Sequence, residues 1–141
     1  MNYEKMRADD AAMVAQLATQ LGYPCTAEEV RPRIEAISAL ADEQLRVARH
    51  DGRAIGYIHF LLRRGISGAP RVEIAQVVVE EAMRGRGIGR TLLLLAEDWA
   101  RERGVRKMKL ASRATRPDAH RLYLKLGYTI VKTSHFFEKP L

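Results

Sequence analysis

Arg84-Gly85-Arg86-Gly87-Ile88-Gly89-Arg90-Thr91 follows an apolar run that ends at Val79, and it leads into a long amphipathic segment. A strand that turns into a helix at such a point presents unpaired backbone N–H groups and the positive end of a helix dipole. The glycines let a ligand approach the backbone closely, and the arginines add positive charge. The stretch therefore predicts a binding site for a phosphate or pyrophosphate group. The alternative is a tight turn that needs glycine only for its backbone angles.

Spacing excludes two common phosphate-binding loops. A dinucleotide fingerprint requires G-x-G-x-x-G, and Arg90 stands where the third glycine would be when the count starts at Gly85. A Walker loop requires Gly-Lys followed by Ser or Thr, and the chain contains no such sequence. The pattern that remains is Arg-x-x-Gly-x-Gly, at Arg84, Gly87 and Gly89.

This pattern, preceded by Val77-Val78-Val79-Glu80, resembles the acetyl-CoA-binding motif of the GNAT family of N-acetyltransferases. The resemblance implies that acetyl-CoA is the cosubstrate and that the loop amides bind its pyrophosphate. In the family, the strand before the loop separates from its neighbour near its end, so backbone groups of that strand contact the pantetheine arm and the thioester carbonyl. The cofactor-binding residues implied are Val77, Val78, Val79, Arg84, Gly85, Arg86, Gly87, Ile88, Gly89 and Arg90.

Length and composition favour one compact domain over residues 1–141, since 47% of the chain is hydrophobic. The longest apolar run, Leu92 to Ala96, is too short to cross a bilayer, and the charged N-terminal residues do not form a signal peptide. With Cys25 as its one cysteine, the chain has no internal disulfide and no cysteine metal cluster. We therefore expect a cytoplasmic protein that needs no metal ion and does not act at a membrane.

The formal net charge is +7, and much of the excess follows the glycine-rich loop. Between Arg84 and Arg116 there are ten Lys or Arg residues and three acidic residues, which favours an anionic ligand. A nucleic-acid-binding module is a rival interpretation, but the chain has no recognisable motif for it and only 6% aromatic residues. A basic surface that merely keeps the protein soluble is the other alternative.

Periodicity and capping signals predict the order β α α β β β α β α β. Asp51-Gly52 predicts a tight hairpin, Thr26 with Glu29 predicts a capping box, and Gly127 predicts the end of the last helix. The result is an α+β fold with α/β-like layers, in which about four helices cover both faces of a mixed sheet of about six to seven strands. The same order of elements occurs in the GNAT family. Strands are predicted near 3–8, 45–50, 53–62, 71–79 and 105–111, with one or two more over 128–139, and helices are predicted near 11–21, 27–40, 88–103 and 117–126.

Acetyl transfer to an amine requires a neutral amine, a stabilised oxyanion and a proton for the departing thiolate. The segment from Ala119 to Tyr128 resembles the tyrosine segment of the family, and the resemblance implies that the hydroxyl of Tyr123 protonates the thiolate. One position departs from the family pattern, because Arg116 stands where the family often has asparagine. A half-buried core tyrosine is the alternative for Tyr123.

Glu73 is the predicted general base. It lies eleven residues before Arg84, which is the spacing of the catalytic glutamate in the histone-acetyltransferase branch that this position resembles. A solvated carboxylate at the start of a strand is equally compatible with the sequence. His59, His120 or a water molecule could take the role instead.

The acceptor pocket of the family is built by the loop between the first two helices and by the C-terminal strands. This implies Tyr23, His135 and Phe136 as contacts to the acceptor, with His59 as a further candidate, although each could equally pack in the core. We expect direct transfer to a primary amine, of a small molecule rather than of a peptide or protein. A non-catalytic acyl-CoA sensor on the same fold stays open, as does a homodimer, and the sequence does not identify the amine.

Overall fold

The computed structural model describes residues 1–111 and 117–141. The chain divides into two compact units, Met1–Ala111 and Ser112–Leu141, and each unit is described by itself. No helix in the described residues is long and apolar enough to cross a bilayer. The first unit contains β1 (Asn2–Lys5), α1 (Ala11–Gln20), α2 (Ala27–Ser38), β2 (Glu43–His50), β3 (Arg53–Arg63), β4 (Arg71–Val79), α3 (Ile88–Glu102) and β5 (Met108–Leu110), and the second contains α4 (Pro117–Lys125).

The strands of the first unit form one mixed sheet in the order β1-β2-β3-β4-β5. Strands β1 to β4 run antiparallel to their neighbours, and β5 is parallel to β4. The predicted α+β class is confirmed, but the predicted count of about six to seven strands is wrong for the described residues, which contain five. Residues 128–139 form no strand in the structure. Alternating hydrophobicity produces a strand only where a neighbouring strand accepts its backbone hydrogen bonds.

A tight turn joins β2 to β3, as Asp51-Gly52 predicted. Asp51 and Gly52 have φ angles of 50° and 76°. A type I′ turn requires positive φ at both central residues, and its twist matches that of the two strands. The turn pairs His50 with Arg53, so it determines which residues of β2 and β3 lie opposite each other.

Helices cover both faces of the sheet in the first unit. α1 and α2 pack on one face, where Tyr57 of β3 and Val78 of β4 join their apolar core. Phe60 lies three residues after Tyr57 and therefore faces the other side, where its ring meets Trp99 of α3 edge-on at 5.4 Å between centroids. Gly56 lets α3 lie close to the sheet, because a Cβ there would approach the carbonyl oxygen of Val78 to 3.0 Å.

Strand β4 carries one extra residue, Ala75, in its pairing with β3. His59 pairs with Gln76 and Phe60 pairs with Ile74, so Ala75 has no partner of its own. Such a bulge bends a strand and increases its twist. β5 pairs with β4 only up to Ile74, which is where the bulge begins. Beyond that point, the outer edge of β4 has no strand partner in the described part of the chain.

Two predicted helix ends are confirmed. At the start of α2, Glu29 N–H donates to Thr26 Oγ1 over 3.2 Å and Thr26 N–H donates to Glu29 Oε1 over 3.0 Å, which is a capping box. In the second unit, Gly127 follows α4 with a φ angle of 93°. There the N–H of Tyr128 donates to the carbonyl oxygen of Tyr123 over 3.0 Å, as at a Schellman helix end.

An ion pair is buried between β2 and the turn that precedes α1. The guanidinium of Arg49 donates to both carboxylate oxygens of Asp10, over 2.8 and 3.0 Å, and the two residues are 8% and 6% exposed. Asp10 also accepts from the backbone N–H of Arg7, and Glu4 accepts from Nε of Arg49. Burial alone would raise the pKa of Asp10, but the hydrogen bonds from Arg49 and Arg7 outweigh burial and hold that pKa below its usual range.

Replacing Asp10 with asparagine should lower the free energy of unfolding by about 3 kcal/mol, because it leaves the buried guanidinium of Arg49 without its charged partner. Urea unfolding followed by circular dichroism measures the change. Asp9→Asn is the matched control, since the carboxylate of Asp9 is 88% exposed and its replacement should leave stability nearly unchanged.

The pH dependence follows from the direction of the shift. Because the pKa of folded Asp10 is lowered, its contribution to stability is complete above about pH 4 and is lost as the pH falls through the folded value. The difference in stability between the wild type and Asp10→Asn should therefore shrink in acid. Equal stability of Asp10→Asn and Asp9→Asn at pH 7 would contradict this account of the ion pair.

Candidate active site

The loop between β4 and α3 holds its backbone in a conformation that favours glycine. Gly85 and Gly87 have φ angles of 78° and 80°, where other residues are strained. Gly87 is the N-cap of α3, and its carbonyl oxygen accepts the N–H of Thr91 over 3.0 Å. The N–H groups of residues 85–90 precede this bond, and none of them donates to a group in the described chain. The loop therefore presents a row of open N–H donors at the N-terminus of α3.

The three arginines of the loop differ in their contacts. Arg84 folds back, and its Nε donates to the carbonyl oxygen of Val79 over 3.2 Å. Arg86 and Arg90 are exposed and have no carboxylate partner among the residues that the structure describes. A Cβ built on either left-handed glycine would meet no atom within 4 Å, so the space above the loop is open. Open N–H donors, a helix N-terminus and two uncompensated guanidinium groups fit a pyrophosphate.

Contacts to β3 and to the core hold this loop in place. The N–H of Glu80 donates to the carbonyl oxygen of Ile55 over 2.8 Å. The carboxylate of Glu80 accepts two bonds from the guanidinium of Arg53, at 3.1 and 3.0 Å. Ile88, which is 2% exposed, anchors the first turn of α3 beside Gly56. The donors of the loop are thus fixed relative to the end of β4.

The outer edge of β4 next to the loop also carries backbone groups that face away from β3. Because the N–H of Glu80 points towards β3, and the direction alternates along a strand, the backbone groups of Val77 and Val79 point to the outer edge. The carbonyl oxygen of Val79 there accepts the bond from Arg84. The side chain of Val78 instead lies in the core beneath α1 and is 2% exposed.

A cavity of about 470 Å³ lies on the face of the sheet that α1 and α2 cover. The loop after α1 closes one side of it, and strands β2, β3 and β4 form its floor. Its lining is mostly apolar, which together with its size suits a small organic molecule. The structure places Tyr23 and His59, two of the predicted acceptor residues, in this lining. The polar lining residues are Tyr23, Arg33, Tyr57, His59 and Gln76.

Hydrogen bonds order two polar side chains of the cavity. Nε2 of His59 lies 2.8 Å from Oε1 of Glu43, a residue of β2. The hydroxyl of Tyr57 donates to Oε1 of Gln76. Burial raises the pKa of Tyr57, so its hydroxyl keeps its proton and remains a donor. No group of three or more His, Cys, Asp or Glu side chains in the described residues is arranged to hold a metal ion.

Arg33 brings a positive charge to the cavity. It lies on α2, and its nearest carboxylate in the described chain is that of Glu29, at 3.9 Å. No Asp or Glu belongs to the lining that the structure describes. The guanidinium is 62% exposed and its pairing with Glu29 is long, so it remains accessible to a ligand that carries a negative group.

Glu73 lies on β4 and does not belong to the cavity lining. Its Oε2 accepts from Nε of Arg63 over 3.1 Å, and its Oε1 accepts from Nε of Arg71 over 3.1 Å. Both oxygens are thus engaged by guanidinium groups. The structure gives this carboxylate ion-pair partners and does not bring it together with Tyr23 and His59.

The other predicted residues lie in the second unit. Tyr123 on α4 is half-buried, and its ring lies edge-on to that of Tyr128 at 6.4 Å between centroids. His120 also lies on α4. His135 and Phe136 follow the helix, and Phe136 is 86% exposed. The roles of these residues in catalysis and acceptor binding stay predictions.

Sequence reasoning missed several residues of this region, among them Gly56, Glu43, Gln76 and Arg33. Gly56 had a signal, since a glycine inside an apolar strand marks a close backbone approach. Glu43 and Gln76 had none, because their partners lie 16 and 19 residues away along the chain. Arg33 had no signal either, since a basic residue on an amphipathic helix ordinarily faces solvent.

Solved structures share this fold. An aminoglycoside N-acetyltransferase in complex with coenzyme A superposes with a TM-score of 0.85 and covers 99% of this chain and 95% of its own. The two sequences are 20% identical. At that level of identity, the likeness establishes the fold alone.

Two proteins found by sequence comparison are more similar to this chain in sequence than that solved structure is. The aminoalkylphosphonate N-acetyltransferase of Salmonella typhimurium is 40% identical over 98 residues, which are 68% of this chain and 62% of the relative, or less than two thirds of its length. The aminoglycoside N(6')-acetyltransferase type 1 of Stenotrophomonas maltophilia is 30% identical over 139 residues, which cover 94% of this chain and 88% of the relative. The profile of the Acetyltransferase (GNAT) family matches residues 12–128. The chain therefore belongs to the GNAT family of acetyltransferases.

Proposed function

We propose that this protein is an acetyl-CoA-dependent N-acetyltransferase that moves an acetyl group directly onto a primary amine of a small molecule. The row of open N–H donors over residues 85–90 carries the proposal, together with the nearby outer edge of β4, which has no strand partner beyond Ile74 in the described part of the chain. The cavity under α1 and α2 supplies the place for the acceptor. Family membership and the coenzyme A-bound neighbour of the same fold support the assignment.

The loop and the outer edge of β4 bind different parts of acetyl-CoA. The N–H groups of residues 85–90 bind the pyrophosphate, and Arg86 and Arg90 neutralise its charge. The backbone groups of Val77 and Val79 bind the pantetheine arm and the thioester carbonyl. A hydrogen bond from a backbone N–H to that carbonyl oxygen stabilises the negative charge that develops there during transfer.

We assign protonation of the departing thiolate to the hydroxyl of Tyr123, since a phenol is protonated at neutral pH and is a sufficiently strong acid for a thiolate. The family match supports this role, because residues 12–128 include both the loop and Tyr123. We place the enzyme in the cytoplasm, where Cys25 would remain a free thiol.

The charge of the cavity distinguishes between the acceptors that the two relatives are named for. An aminoglycoside is a polycation, whereas an aminoalkylphosphonate carries an anionic group beside its amine. Arg33 supplies positive charge, and no carboxylate lines the cavity in the described residues. A guanidinium binds phosphonate or carboxylate oxygens in pairs. We therefore propose a small amine with an anionic group as the acceptor.

Gly87→Val should abolish acetyl-CoA binding for two reasons. The new side chain would occupy the open space above the loop, and valine is strained at the φ angle of 80° that the loop requires. Titration calorimetry with acetyl-CoA measures the affinity. Gly104→Val is the matched control, because Gly104 follows the other end of α3 with a φ angle of 70° and equally open space. Unchanged affinity for acetyl-CoA in Gly87→Val would refute the pyrophosphate site. Equal losses of affinity in Gly87→Val and Gly104→Val would mean that backbone strain, and not a blocked binding site, causes the loss.

Tyr123→Phe should lower kcat by about 100-fold while leaving the Kd for acetyl-CoA unchanged, because only the proton donor is removed. A thiol-release assay against a panel of amines gives kcat, and Tyr128→Phe serves as the control in the same unit. Wild-type rates in Tyr123→Phe at every pH would remove the acid role. If the wild type binds acetyl-CoA but releases no thiol with any amine, the protein is a sensor.

Arg33→Gln should lower kcat/KM for an aminoalkylphosphonate by about tenfold and leave an uncharged alkylamine of equal length nearly unaffected, because it removes one charge-assisted contact. Arg31→Gln is the matched control, as Arg31 lies on the same helix but pairs with Asp9 outside the cavity. Faster turnover of aminoglycosides than of anionic amines by the wild type would contradict the proposed acceptor class.

A further inference from the structure

Glu73, the general base that the sequence predicts, is engaged in two ion pairs. Both oxygens of Glu73 accept hydrogen bonds from guanidinium groups, those of Arg63 and Arg71. Both guanidinium groups compensate the negative charge of this carboxylate, and Glu73 does not line the cavity. The geometry therefore calls for a different proton acceptor, one that faces the acceptor amine.

His59 has the geometry of such a group. It lines the cavity, and its Nε2 lies 2.8 Å from Oε1 of Glu43. An ionised carboxylate only accepts hydrogen bonds, so the Nε2 of a neutral His59 carries the proton and Nδ1 is left as the proton-accepting nitrogen. Nδ1 has no partner in the described chain. A carboxylate that holds an imidazole in one tautomer and stabilises the imidazolium is an arrangement that recurs in general bases.

The position of His59 in the sheet brings it to the part of β4 where the donor is proposed to bind. His59 pairs with Gln76, which follows the bulged residue Ala75 and precedes Val77. Gln76 lines the same cavity. The backbone of Val77 faces the outer edge of β4, which has no strand partner there in the described residues. The imidazole thus lies one strand away from the proposed thioester site, on the face from which a molecule in the cavity would approach.

We propose that His59 is the catalytic base of this enzyme and that Glu43 is its positioning residue, an inference that rests on the proposed function. Nδ1 of His59 takes one proton from the ammonium form of the acceptor. The nitrogen lone pair then forms the C–N bond at the thioester carbonyl carbon, and the C–S bond breaks with its electrons on sulfur. The second proton lost by nitrogen balances the one that the thiolate gains, and the imidazolium releases its proton to solvent.

Other titratable or charged groups line the same cavity. Arg33 lies on α2, Tyr23 and Cys25 lie in the loop after α1, and Tyr57 lies two residues before His59 on β3. Burial raises the pKa of Tyr57, so its hydroxyl keeps its proton. Among these residue types, histidine is the one that most often serves as a general base.

The test compares His59→Gln, Glu43→Gln and Glu73→Gln with the wild type, using the thiol-release assay from pH 6 to 9, after acetyl-CoA titration has shown that each variant binds the donor. His50→Gln is the matched control, because His50 lies at the exposed end of β2 and pairs only with Asp51 in the described chain. We expect kcat/KM to fall by about 100-fold in His59→Gln and by about tenfold in Glu43→Gln at pH 7. Both deficits should shrink towards pH 9, where more of the amine arrives neutral.

Each other outcome is decisive. Wild-type rates and an unchanged pH profile in His59→Gln would overturn the role of His59. A loss confined to Glu73→Gln would return the base to that carboxylate. A deficit in His59→Gln that stays constant with pH would mean a structural role. Absence of thiol release by the wild type with every amine would instead overturn the proposed function itself.

Discussion

The backbone hydrogen bonding of β4 is the constraint on which the rest of the first unit depends. On one side, β4 pairs with β3 along its length, and on the other side β5 pairs with it only as far as Ile74. The bulge at Ala75 lies at this boundary. In the described residues, the second half of β4 is therefore paired on one side only, and its open outer edge leads directly into the glycine-rich loop.

Local backbone conformation could be predicted from the sequence. Asp51-Gly52, the pair Thr26 and Glu29, Gly87 and Gly127 each act within a few residues, through positive φ angles or a short-range hydrogen bond. The two-residue period of the strands and the 3.6-residue period of the helices extend this to most elements. The strands expected over 128–139 are absent from the structure. Hydrophobic periodicity is a property of a single segment, whereas a strand forms only when a second segment pairs with it.

Long-range pairing could not be predicted. The sequence located His59 and Glu73 on neighbouring strands, but nothing local indicated that Glu43 would pair with the imidazole or that Arg63 would pair with the carboxylate. Both pairs depend on the register of the sheet, whereas Arg71 lies only two residues before Glu73 on the same strand. The loop was predictable because its positive φ angles and open N–H groups are main-chain properties that a short stretch of sequence determines. The cavity was not predictable, because side chains from five elements line it.

The glycine-rich loop would bind the donor through its main chain, whereas the cavity would bind the acceptor through side chains. The two binding sites can therefore change independently during evolution. Main-chain donors survive most substitutions as long as the two left-handed glycines keep their backbone angles. Side chains around the cavity carry no such restriction, so exchanging a few of them would alter which amine is accepted while the donor half stays intact. A protein with this fold can acquire a new acceptor through single substitutions, and each intermediate variant would still bind the donor.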